Sequence, residues 1–168
     1  MAIRIVLAVC IVLGCTLFGR ALSNAARRRV AVLNRLIRGV KMVRIHITGM
    51  LEKVSDALKM SGCDVFIVIG YEMEKGKSAK EAWNAKSEDF MKRCSPLDSL
   101  TDKDVELLND LFSNLGESSR REQEMFLESI IKGLCEQRDG AKVQLNEKEQ
   151  LYVSVGFIIG LMLALVVI

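Results

Sequence analysis

Residues Leu151 to Ile168 form eighteen consecutive positions without a single charge. Wound as an α-helix, such a stretch reaches about 27 Å, close to the roughly 30 Å hydrocarbon core of a bilayer. It predicts a membrane span, against the rival of a very apolar helix buried in a soluble core. Tyr152 at its edge suits the headgroup region. Gly156 and Gly160, in G-x-x-x-G spacing, either admit the close approach of another helix or are ordinary small residues in an apolar helix.

A second apolar run lies at the opposite end. Met1 to Gly19 holds one charge, Arg4, ahead of the run from Ile5 to Phe18. It suffices as an anchor if Arg4 snorkels to the interface. A cleaved signal peptide competes, with Ser23, Ala25 and Ala26 as small residues downstream, and Val12-Leu13-Gly14-Cys15 resembles a lipoprotein cleavage box. The arginines from Arg20 onward would resist export and favour an uncleaved anchor. The chain therefore reads as an anchor at 1–19, a helical domain at 20–150 and a span at 151–168.

The net charge of +3 conceals a marked separation. Arg20, Arg27, Arg28, Arg29, Arg35, Arg38, Lys41 and Arg44 occur with no acid among them. All 21 acids fall between Ile45 and Gln150, against 15 Lys and Arg, so that stretch carries −6. Basic residues directly after an apolar segment mark the cytoplasmic side and touch anionic lipid, which makes Arg27, Arg28 and Arg29 candidate lipid contacts. The same run leaves open an alternative function, a membrane-tethered binder of acidic lipid or nucleic acid. Cys10, Cys15, Cys63, Cys94 and Cys135 are odd in number and show no C-x-x-C spacing, as expected of reduced thiols facing the cytosol. His46, the only histidine, lies on a helical pattern and reads as a structural or surface residue.

The domain reads as helical throughout. From Ala21 to Met60, apolar residues including Val30, Leu33, Leu36, Ile37, Val40, Val43, Ile47, Met50, Val54 and Leu58 recur every three or four positions. The spacing predicts one long amphipathic helix that bends or breaks at Gly39 or Gly49, and it also suits a coiled coil. Val65 to Ile69 is a run of five apolar residues whose period separates neither strand from helix. The absence of turn signals before Gly76 favours a buried helix ended by that glycine. Ser78 with Glu81 makes a capping box for a helix over Ala79 to Lys92, with Trp83 as core anchor. Thr101 with Asp104 starts another, and Gly116 stops it. Ser118 or Ser119 caps a last helix carrying Phe126, Leu127, Ile130, Ile131 and Leu134, with only Gly133 and Gly140 as breakers before the span.

Catalytic chemistry is hard to find. The chain has no phosphate-binding G-x-x-x-x-G-K-[ST], no G-x-G-x-x-G and no H-E-x-x-H. Its acids are scattered among lysines as on solvated helix faces. The expectation is a protein that is not an enzyme, with no catalytic, cofactor-binding or metal-binding residues and no small-molecule substrate.

Several local sequences point to a family. Gly76-Lys77-Ser78-Ala79-Lys80-Glu81-Ala82-Trp83, Leu115-Gly116-Glu117-Ser118-Ser119-Arg120-Arg121-Glu122-Gln123, Leu151-Tyr152-Val153-Ser154-Val155-Gly156 and Thr16-Leu17-Phe18-Gly19 together resemble stage III sporulation protein AB. The likeness covers nearly the whole chain. The family pattern favours an acid at Ser119 and Leu at Val155, and the first departure weakens any charge-pair role at that turn. The resemblance implies an all-α fold, an antiparallel helical bundle like the cytoplasmic domain of the type II secretion platform protein F, flanked by transmembrane helices. It further implies a platform subunit of the channel-like complex between mother cell and forespore, in the mother-cell membrane around the forespore, with the helical domain in the cytosol. The implied partners are a stage III sporulation AA-like ATPase and other subunits of that complex. Nucleic acid is not expected, and a homo-oligomer is left open. Ser118, Arg120, Arg121 and Gln123 are the candidate partner contacts: cations in the first turn of a helix oppose its dipole, so their presence suggests a partner or an ion pair.

Overall fold

The structure, a computed structural model, describes residues 24–50, 53–117 and 119–167, with side chains placed from 26 to 147 outside those gaps and at 154, 155 and 158. Every described element is a helix: α1 (Asn24–Thr48), α2 (Val54–Lys59), α3 (Asp64–Glu74), α4 (Ala79–Met91), α5 (Asp102–Asn114) and α6 (Arg120–Val167). Residues 29–139 form one compact unit, which falls inside the 20–150 domain read from the sequence, and the described residues on either side of it group separately. The predicted anchor at 1–19 lies outside the described residues. Among the described residues no helix is long and apolar enough to cross a membrane. The backbone of α6 continues as helix through the second predicted span to Val167.

Helix α1 buries Leu33, Leu36, Ile37, Val40 and Val43, the face that its three-to-four spacing marks. It does not continue to Met60. The chain leaves the helix after Thr48, Met50 stands 61% exposed, and helix resumes only at Val54, where Ala57 and Leu58 are buried. The long apolar pattern is thus two helices, and of the two expected weak points Gly49, not Gly39, marks the break. Gly39 is instead a point of close approach: a Cβ there would lie 2.9 Å from both Cys63 Cβ and the Phe66 ring. The same device recurs at Gly70 of α3, where a Cβ would lie 2.8 Å from the Ser55 carbonyl oxygen of α2. The apolar run Val65 to Ile69 is helical, with Val65, Phe66 and Ile69 buried.

Aromatic rings join α3, α4 and α5. Phe66 meets Phe112 edge-on with centroids 5.6 Å apart, and Trp83 stacks on Phe112 at 4.7 Å. The Trp83 indole N–H donates to Asn109 Oδ1 at 2.6 Å, so the polar end of the buried ring is satisfied. The Ser78 and Glu81 capping box is present in both directions. Gly76 and Gly116, at φ of +93° and +90°, end α3 and α5 as expected.

Pairings along the helices set their directions. Arg29 bonds Asp104 near the starts of α1 and α5, while Val40, Val43, Leu111 and Leu115 line one small cavity further along both, so these helices are parallel. Arg29 also bonds Gln137, and Arg44 lies 3.9 Å from Glu128, so α6 runs antiparallel to α1. Leu127, Ile130, Ile131 and Leu134 supply its buried face, with Phe126 half-buried.

Candidate functional site

The turn between α5 and α6 carries the predicted partner contacts. Ser118 lies outside the described residues. Ser119 does cap α6, although its hydroxyl does not accept from the helix: it donates to Glu122 Oε2 at 2.8 Å, and its backbone N–H donates to the same oxygen at 3.0 Å. These two donors hold the Glu122 carboxyl below its usual range, and its negative charge suits a helix N-terminus. Gln123 is 3% exposed, and its amide N–H donates to the Asn114 carbonyl oxygen at 3.0 Å, one of the carbonyls that the end of α5 leaves unpaired. Gln123 is therefore a fastener between two helix ends and is not presented to a partner, which corrects the expectation from its position. Arg120 and Arg121 are exposed on the first turn of α6, and neither makes an ion pair among the described residues.

The basic run on α1 divides. Arg27 and Arg28 are exposed. Arg29 turns inward: Nε donates to Asp104 Oδ2 at 2.8 Å and Nη2 to Asp104 Oδ1 at 3.1 Å, a bidentate pair with side chains 14% and 0% exposed. Nη2 also donates to Thr101 Oγ1 and Gln137 Oε1, each at 3.2 Å. The Asp104 carboxylate further accepts the Thr101 N–H and hydroxyl, both at 2.9 Å. Burial raises the Asp104 carboxyl, but Arg29 and Thr101 outweigh it and hold it below the usual range. Arg29 is thereby removed from the lipid-contact set: its guanidinium is engaged inside the helical unit, and Arg27 and Arg28 remain.

Sequence reasoning found only half of this network. Thr101 and Asp104 stand out as an N-cap pair, since their spacing is local. The partner at Arg29 is 75 residues away and looks like any other member of an arginine run. The network ties α1, the start of α5 and α6 together. It lies about 25 Å along α6 from Arg120, as seventeen residues of helix require.

A second carboxylate cluster sits at the C-terminal end of α3. Glu72, nearly buried, accepts from Lys75 and Lys77 at 2.6 Å each, and these two ammonium groups hold its carboxyl down at about 2. Lys59 bridges Asp56 and Glu74 beside Tyr71. His46 is buried. Among the described residues no group of three or more His, Cys, Asp or Glu is placed to hold a metal ion. Among the described residues the surface presents two exposed arginines at the α6 start, and basic and acidic helix faces elsewhere.

Comparison with known proteins gives one result. The model of the family described as stage III sporulation protein AB matches residues 4–168. No curated protein and no solved structure matches the chain.

Proposed function

Because this chain belongs to the stage III sporulation protein AB family, and so to the proteins of sporulation stage III, we propose that it is a non-enzymatic platform subunit of a secretion-like complex in endospore formation. In this reading the terminal apolar segments anchor it in the mother-cell membrane around the forespore. The helical unit faces the cytosol and couples a stage III sporulation AA-like ATPase to the other subunits of the channel-like complex. The observation that carries the reading is the family match itself, which takes in both apolar termini together with the domain between them.

Arg120 and Arg121 are the proposed ATPase contacts. They are exposed, have no ion-pair partner among the described residues, and stand where the helix dipole disfavours cations by roughly 0.3–1 kcal/mol each. Arg27 and Arg28 serve as the contacts to anionic lipid. The test is genetic and biochemical together. Deleting the protein should halt forespore development after engulfment, and Arg120→Glu with Arg121→Glu should abolish co-purification with the ATPase while leaving the melting temperature unchanged. Normal development of the deletion strain would end the proposal, and retained co-purification would move the contact off this turn.

A further inference from the structure

Two opposite outer faces of the helical unit carry opposite charge. On α1, Arg38 is two residues from Leu36 and two from Val40, both buried, so it points roughly 200° away from the side that meets α5. Arg35 and Lys41 flank it, and all three are exposed. On α5, Glu106 is likewise two residues from buried Asp104 and two from buried Leu108, and Asp102 and Asp110 lie one turn to either side, exposed. Arg38, Lys41, Asp102, Glu106 and Asp110 form no ion pair among the described residues, while Arg35 makes an exposed one with Asp64 at 3.1 Å. Lys103 is the single cation within the acidic ridge.

We infer that the acidic ridge of α5 in one copy docks on the basic ridge of α1 in a second copy. The like-charged α1 faces repel, which disfavours a two-fold contact through α1 alone and selects a head-to-tail arrangement. Each copy then offers one ridge to the neighbour on either side. Since α1 and α5 run parallel within the unit, a parallel pairing of the two ridges keeps neighbouring copies the same way up, the only arrangement open to chains held by one membrane face. Two helix faces of this length bury less than the roughly 800 Å² per partner typical of a stable complex, so the contact is weak in dilute solution and gains from crowding or confinement. The same-way-up order of neighbouring copies rests on the membrane anchoring proposed above, while the charge pairing between copies does not.

The test uses zero-length carbodiimide coupling, which joins an ammonium to a carboxylate only in contact, on the purified full-length chain, concentrated in a non-ionic detergent. Mixing isotopically heavy and light chains distinguishes links between copies from links within one. The expected product is a heavy–light peptide joining Lys41 to Asp102, Glu106 or Asp110. Its yield should fall on adding salt, and by at least about threefold with Arg38→Glu or with Glu106→Lys plus Asp110→Lys, as exposed charge pairs allow. Mixing those two variants should restore linkage across the exchanged charges, and unchanged thermal melts would show that each variant folds. Absence of heavy–light links at Lys41, yields indifferent to charge reversal, or failure of the mixed variants to recover would overturn the inference. So would protection of Lys41 seen only on adding anionic vesicles, which would assign the ridge to lipid.

Discussion

Asp104→Asn tests whether the buried network holds the helical unit together. The wild-type carboxylate accepts four hydrogen bonds, two from the Arg29 guanidinium and two from Thr101. An asparagine keeps one acceptor oxygen and turns an NH₂ group toward Arg29, which loses its counter-charge at a site only 14% exposed. Breaking one side of a buried pair costs about 3–5 kcal/mol, and here the lower end applies because Arg29 keeps Thr101 and Gln137 and some contact with water. At about 4–8 °C per kcal/mol for a domain of this size, the midpoint should drop by roughly 10–20 °C. The single tryptophan, Trp83, is buried against Phe112 of α5, so its fluorescence follows the docking of the helix that carries Asp104. Removing both charges, as Arg29→Met with Asp104→Leu, should cost less than the sum of the single changes by about 1–3 kcal/mol, because no uncompensated ion is left inside. The sign with pH follows from the lowered Asp104 carboxyl. Its contribution is fully present above the ordinary value of 3.8 and is lost as pH falls through the lower folded value, a loss that Asp104→Asn should lack. Strictly additive single and double variants, or an acid limb unchanged by Asp104→Asn, would refute the reasoning.

Other perturbations separate packing from display. Gly39→Ala should destabilise by about 1–3 kcal/mol despite the better helix propensity of alanine, because its Cβ meets Cys63 and Phe66 at 2.9 Å, whereas Gly140→Ala, with nothing within 4 Å, should stabilise by about 0.5–1 kcal/mol; thermal melts of the pair decide it. Gln123→Ala should lower stability by about 1–3 kcal/mol in denaturant titration, since it orphans the Asn114 carbonyl. Glu72, held at about 2 by Lys75 and Lys77, should contribute stability that is complete above its ordinary 4.5 and lost as pH falls toward 2, a loss that Glu72→Gln removes from an acid titration.

Local signals were read well because their causes are local. The capping box at Ser78 and Glu81, the stops at Gly76 and Gly116, and the buried face of α1 all depend on residues within one or two turns of each other. Helix identity for Val65 to Ile69 followed from the missing turn signals, although the period of the run was silent. The choice between Gly39 and Gly49 as the break in the first long pattern was not legible, because Met50 fits the apolar spacing yet leaves the core, and a period cannot show which of its members find a neighbour to pack against.

The sequence by itself determined a helical chain, the segregation of its charges and its family, since periodicity, composition and local motifs survive without knowledge of the fold. Only the tertiary structure decided the fate of individual residues in those patterns. Arg27, Arg28 and Arg29 are identical in sequence terms, but only Arg29 reaches Asp104, 75 positions away. Gln123 and Arg121 are two residues apart, and the turn of α6 sends one to the Asn114 carbonyl and the other to solvent. Gly39 looks like a helix breaker until Phe66 is packed against it. Each of these outcomes depends on which distant side chain arrives at the site, and that is set by the packing of whole helices.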